Sequence, residues 1–124
     1  MSEFNFKVFR NEGKRFGSYT ISISKNAAFG FNAGFYHRDN IKNFKYVTLA
    51  FDESKRAVAF LFFQKDPGEK GPFKIIHGKS SGSAVAHSFF KFHGIDLQKN
   101  AGRYEPTLYK NTDNGKSFYI ILKA

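Results

Sequence analysis

Four histidines, His37, His77, His87 and His93, are the first side chains to weigh for metal binding or acid–base work. His87 and His93 stand six positions apart in a segment that reads as helix. That spacing turns one roughly 240° from the other, so they do not share a metal ion. No HExxH or His-x-His motif accompanies them, and structural or surface roles are expected for all four. Gly78-Lys79-Ser80 matches the end of a GxxxxGK[ST] phosphate loop, but Phe73 stands where the first glycine is required. A helix is expected soon after, which leaves Gly78–Ser83 as a turn able to hold one phosphate at a helix N-terminus. Asp39, Asp66, Asp96 and Asp113 neighbour turns or helix ends, and Asp52-Glu53 lies in a hairpin loop. Their spacing gives no sign of the converging carboxylates that a two-metal nuclease needs. Ser80, Ser81 and Ser83 lie near His77 and His87 in the chain, with no identifiable orienting acid. The absence of cysteine removes disulfides, thiolate zinc sites and thiol nucleophiles. A non-enzymatic protein with no cofactor and no metal is therefore the expectation.

The charge balance points elsewhere. The 124 residues carry 20 Lys and Arg against 10 Asp and Glu, a net charge of +10. The excess is spread evenly: residues 1–62 hold ten basic and five acidic side chains, and residues 63–124 hold the same. Such a surface favours a polyanionic partner. Aromatics make up 19% of the chain, with 17 Phe and six Tyr. Lys and Arg beside aromatic side chains on strands suit single-stranded nucleic acid, because bases stack on rings while cations follow phosphates. The longest apolar run, Ala57 to Phe63, is only seven residues, and MSEFNFKVFR does not read as a signal peptide. No membrane association and a cytoplasmic location are expected.

Alternation of apolar and polar residues dominates the elements that must position these groups. Phe4, Phe6 and Val8 read as a half-buried strand, followed by the loop Glu12–Gly17. Tyr19, Ile21 and Ile23 alternate with Thr20, Ser22 and Ser24. Lys45–Phe51 and Ala57–Phe63 read as strands joined by the charged loop Asp52–Arg56. The second is apolar on both faces, which places it centrally in a sheet. Asp66–Pro72 must be a loop, and Phe73–His77 resumes a strand. Ser83–Gly94 is the best helix, with Ser83 as cap and Val85, Phe89 and Phe92 as its apolar stripe. Asn32–Ile41 is a second helix, with Phe35 and Tyr36 inward. Strands Arg103–Tyr109 and Lys116–Leu122 close the chain around Asn114-Gly115. Phe29, Phe31, Phe60, Phe62, Phe89 and Phe92 are assigned to the core.

The predicted class is α+β: a mostly antiparallel sheet of seven or eight strands with two helices, in one domain over residues 1–124. The order strand, helix, strand, hairpin, strand occurs twice, over 19–63 and 73–122. Phe35-Tyr36 and Phe89-Phe90 stand at an offset of 54, and Lys45-Tyr46 and Arg103-Tyr104 at 58. An internal duplication and a chance likeness both fit so few identities.

Residues 45–94 resemble the positive-cofactor-four transcription coactivators and the related Whirly proteins. The likeness rests on Lys45-Tyr46-Val47-Thr48 opening a strand, a second strand ending in aromatics, the Asp66-Pro-Gly-Glu loop, strand 73–77 and helix 83–94. It implies a curved antiparallel sheet that binds single-stranded DNA, as a dimer or as a duplicated single chain. The strand 57–63, apolar on both faces, departs from that pattern.

The candidate nucleic-acid-binding residues are Lys14, Arg15, Lys45, Tyr46, Lys74, Lys79, Arg103, Tyr104, Tyr109 and Lys110. Single-stranded DNA or RNA is the leading partner, and homo-oligomerisation is open. The alternatives are a protein-interaction module or homodimeric structural domain, and, behind them, a small basic hydrolase.

Overall fold

A computed structural model describes residues 19–66, 68, 72–112 and 115–123. Strand 4–8, the 12–17 loop, and Lys14 and Arg15 within it lie outside the described residues. The elements in chain order are β1 (Ile21–Ile23), β2 (Ala28–Phe31), α1 (Ala33–Arg38), β3 (Tyr46–Asp52), β4 (Ala57–Phe63), β5 (Phe73–Lys74), β6 (Ile76–His77), β7 (Gly82–Val85), α2 (His87–His93), α3 (Leu97–Asn100), β8 (Gly102–Tyr104), β9 (Thr107–Thr112) and β10 (Gly115–Ile121). A 3₁₀ turn at Ile41–Asn43 follows α1. The protein is α+β, as expected, but its strands form two antiparallel sheets of five. Sheet A runs β6-β7-β2-β1-β8 and sheet B runs β5-β3-β4-β10-β9. Neither closes on itself.

The sheets pack through phenylalanines that point inward on alternate positions. Phe29 of β2 meets Phe60 of β4 edge-on at 4.9 Å and stacks on Phe90 of α2 at 4.8 Å. Phe31 meets Phe62 at 5.2 Å, and Phe35 of α1 meets Phe118 of β10 at 4.9 Å. Each such ring pair contributes roughly 0.5–1.5 kcal/mol beyond simple burial. The two longer helices thus close the space between the sheets, and β4 is central in sheet B, as its two apolar faces require.

Several predicted elements are redrawn. The expected helix 83–94 begins only at His87, because Gly82–Val85 pairs with β2, Ser83 opposite Gly30 and Val85 opposite Ala28. With the helix displaced, Phe92 turns outward and is 83% exposed, not core. The expected strand 103–109 is two strands in different sheets: Pro106 lacks an N–H and forces Glu105 extended, so the chain leaves sheet A and enters sheet B. Phe73–His77 likewise splits, with buried Ile75 at the crossing between β5 and β6. Helix α1 is shorter than 32–41 and buries Phe35 and Tyr36 as expected. Asn32 stands at its N-cap but sends its amide to Thr20 Oγ1 (2.6 Å) and Ser22 Oγ (2.7 Å), tying the helix start to β1.

The short α3 depends on its cap. The Asp96 carboxylate accepts from the N–H groups of Gln98 (2.9 Å) and Lys99 (3.2 Å). The helix holds the fully buried Asn100, whose side-chain amide donates to the Asp96 carbonyl at 2.9 Å. Asp96→Ala is expected to cost about 1 kcal/mol, the usual cost of a lost cap, read as a lower urea midpoint at unchanged m-value. An unchanged midpoint would show that α3 stands without it.

Candidate functional site

The outward face of sheet B carries a pattern that register makes visible. Residues opposite one another in antiparallel strands share a face. Across β4 and β10 the outward pairs are Ala57 with Ile121, Ala59 with Tyr119, Leu61 with Ser117, and Phe63 with Gly115. Each pair sets one large residue beside one small one, and the large member changes strand halfway. Ile121, Tyr119, Leu61 and Phe63 therefore form a diagonal ridge. Beyond β4, Ala50 and Thr48 of β3 continue the rows of Ala59 and Leu61.

A groove of about 530 Å³ lies over this face at the β3–β4 hairpin end. Ala50, Ala57 and Ala59 form its floor, Tyr109, Tyr119 and Ile121 a wall, and Asp52 and Lys55 its charged rim. Tyr109 reaches the groove because the β9–β10 register shifts between Ser117 and Phe118, so that Tyr109 is the bulged residue. Its ring stands 6.4 Å from that of Tyr119, at 82°. Tyr109 is 64% exposed and Ile121 52% exposed.

The rim carboxylate is fixed locally. Asp52 Oδ1 accepts from the Ser54 hydroxyl at 2.8 Å and from the Lys55 N–H at 3.3 Å. The Ser54 bond first, and then the Lys55 N–H and the Lys55 charge, hold this exposed carboxyl below the usual carboxylate range. It is ionised at neutral pH.

Three of the predicted binding residues, Tyr46, Lys74 and Tyr109, share this face, and the strand position of Lys110 adjoins it. Tyr46 stands opposite Phe63 on one side and Lys74 of β5 on the other. Lys110 stands opposite Ser117. Tyr109 joins them through the bulge. Lys45 is exposed just before β3, where its backbone bonds Phe63 and Ile75. The others lie elsewhere. Lys79 is exposed in the β6–β7 turn, and because α2 starts at His87 the turn 78–83 is not a helix N-terminus. Arg103 stands opposite Ser22 in sheet A. Tyr104 is a correction: it is 6% exposed, its hydroxyl donates to the Asn100 carbonyl at 2.6 Å, and the Lys123 ammonium lies over its ring. Burial pushes its phenol above its ordinary pKa, and no face is left for a base.

Sequence reasoning missed Tyr119, Ile121, Lys55 and the three floor alanines. The alternation Ser117, Tyr119, Ile121 against Phe118 and Ile120 was a usable signal, but it does not say which set faces out when both are apolar. His77 has a structural part. Its Nε2 donates to the Phe44 carbonyl at 2.8 Å, which can only accept, and its Nδ1 lies 2.8 Å from the Tyr36 hydroxyl. Among the described residues no group of His, Asp or Glu could hold a metal ion, and no helix is long and apolar enough to cross a membrane. No family model, curated protein or solved structure matches the chain.

Proposed function

We propose that the protein binds single-stranded nucleic acid on the outward face of sheet B, without catalysis. One observation carries the reading: Tyr46, Tyr109 and Tyr119 share a face with the strand positions of Lys74 and Lys110, beside Lys45. Rings at intervals across a sheet offer stacking surfaces, and lysines at the row ends follow phosphates. The resemblance to the positive-cofactor-four and Whirly proteins, which also use a sheet, and the +10 charge agree with it. A cytoplasmic location belongs to the same proposal.

The finer architecture belongs here too. A duplicated unit accounts for the element order β1-β2-α1-β3-β4 and its repeat β6-β7-α2-β9-β10. The repeats meet at the centre of each sheet, β2 against β7 and β4 against β10, with starts 54 and 58 residues apart (28 to 82, 57 to 115). The alternating large and small pairs across β4 and β10 are what a twofold axis there would produce.

Fluorescence anisotropy with labelled single-stranded and duplex oligonucleotides at two salt concentrations tests the function. If Lys45, Lys74 and Lys110 each meet one phosphate, affinity falls by about 2.1 decades per tenfold salt, roughly 0.7 for each. Absence of binding at low salt would overturn the proposal. A protein-interaction module is the second reading, supported by the exposed Phe92 of α2 and by Ile76 and Val85, which are 60% and 46% exposed. Salt-insensitive self-association in sedimentation, without nucleic-acid binding, is its signature.

A further inference from the structure

We infer that the groove over Ala50, Ala57 and Ala59 is a subsite for one unpaired guanine, whose Watson–Crick edge meets Asp52 and Lys55. The inference rests on the single-strand reading above and names the base that this part of the face selects. Its first support is room. The floor is made of three methyl groups where Leu61 and Phe63 fill the neighbouring rows, and the space left, about 530 Å³, is in the range of small-molecule sites. That space has room for a single base.

The second support is the wall. Tyr109 and Tyr119 stand at 82° to one another, so a planar group stacked on one ring turns its edge toward the other. Ile121 adds an apolar contact, and stacking on a ring or an apolar contact favours no one base. Discrimination falls to the rim, where Asp52 and Lys55 are the charged residues that line the groove.

An ionised carboxylate accepts and never donates, so its partner must present hydrogen atoms. Asp52 Oδ1 already holds the Ser54 hydroxyl and the Lys55 N–H, so Oδ2 is the oxygen left for a base. Guanine alone of the common bases offers two adjacent donors on one edge, N1–H and the 2-amino group, followed by the O6 acceptor. That order matches a carboxylate beside an ammonium group. Adenine and cytosine flank their amino group with an acceptor nitrogen, and thymine and uracil flank N3–H with carbonyl oxygens, all of which the carboxylate repels. The base edges are the same in DNA and RNA, so the subsite does not choose between them.

The test is anisotropy at low salt with oligothymidylate carrying one central guanine, one central adenine, one central inosine or no replacement. The wild-type protein is compared with Asp52→Asn and Ala59→Leu, each checked for native circular dichroism. Central guanine should tighten wild-type binding roughly tenfold over thymine or adenine, the low end of the scale for a base-specific contact. Inosine, which lacks the 2-amino group, should recover only part of it. Asp52→Asn leaves the sheet untouched and should erase the preference while oligothymidylate still binds. Ala59→Leu fills the floor and should also erase the preference. Salt-dependent binding with equal affinity for all four oligonucleotides would overturn the subsite and leave the single-strand reading standing, as would a guanine preference that survives Asp52→Asn. Failure of every oligonucleotide to bind would overturn both.

Discussion

Phe60→Ala is expected to lower the unfolding free energy by about 3–5 kcal/mol, the range for truncating a large buried aromatic. Phe60 is fully buried. Its ring stands edge-on to Phe29 at 4.9 Å and to Phe31 at 6.2 Å, so one side chain on the central strand of sheet B touches two on sheet A. In register it lies between Leu49 and Phe118. Alanine there leaves a void at the contact between the sheets, bordered by strands that cannot close without shifting both ladders. A domain of this size has roughly 5–15 kcal/mol in total, so the loss is a large fraction of it and should lower Tm by roughly 10 °C or more. Urea denaturation measures it, with Phe92→Ala as the comparison. Phe92 is 83% exposed, and its truncation should stay within about 0.5 kcal/mol. Equal midpoints for the two variants would show that the sheets do not pack through Phe60.

The second large effect concerns binding. Tyr46 and Tyr119 lie on the same face two strands apart, in rows four residues apart along the strands. Strand geometry puts them roughly 17 Å from each other. At that separation their contributions should add. Each ring is worth about 1–3 kcal/mol to a stacked base, so Tyr46→Ala with Tyr119→Ala should weaken oligonucleotide binding by about 2–6 kcal/mol, or roughly 30-fold to 10⁴-fold. Both side chains are only half-buried, and the double variant should keep its circular dichroism spectrum. A folded double variant that binds as tightly as the wild type would remove this face from consideration.

How far the chain was legible depended on what kind of information each residue carries. Period-two alternation located β1, because a half-buried strand writes its two faces into the sequence, while β3, β4 and β10 were legible as β-rich runs bounded by turn residues. It did not reveal that the strands divide between two sheets, since pairing partners come from distant segments. Thus Arg103-Tyr104 and Tyr109-Lys110 looked like one strand surface, yet Pro106 sends them to different sheets and puts Tyr104 inside. Gly82–Val85 looked like a helix start with a serine cap, and the open edge of β2 overrode that local preference. Tyr46, Lys74 and Tyr109 were legible as members of aromatic–basic pairs and come to one face, with the strand position of Lys110 next to them. The alanine floor was not legible, because a small residue signals nothing until its register partner is known to be large.

The central pairings have a consequence for how the chain is made. β2 and β4 find their partners, β7 and β10, only when residues 82–85 and 115–121 have been synthesised. At about 5–20 residues per second, the 52 residues from 63 to 115 take roughly 3–10 s to emerge. The β2 edge waits only until residue 85, but through the whole interval β4 lacks β10, and its open edge, flanked by Phe60 and Phe62, is a template for strand addition. The first half of another nascent chain would offer the same edge in the same arrangement. Crowded polysomes should therefore yield exchanged dimers joined through β4, and slower translation over residues 64–114 should raise their share.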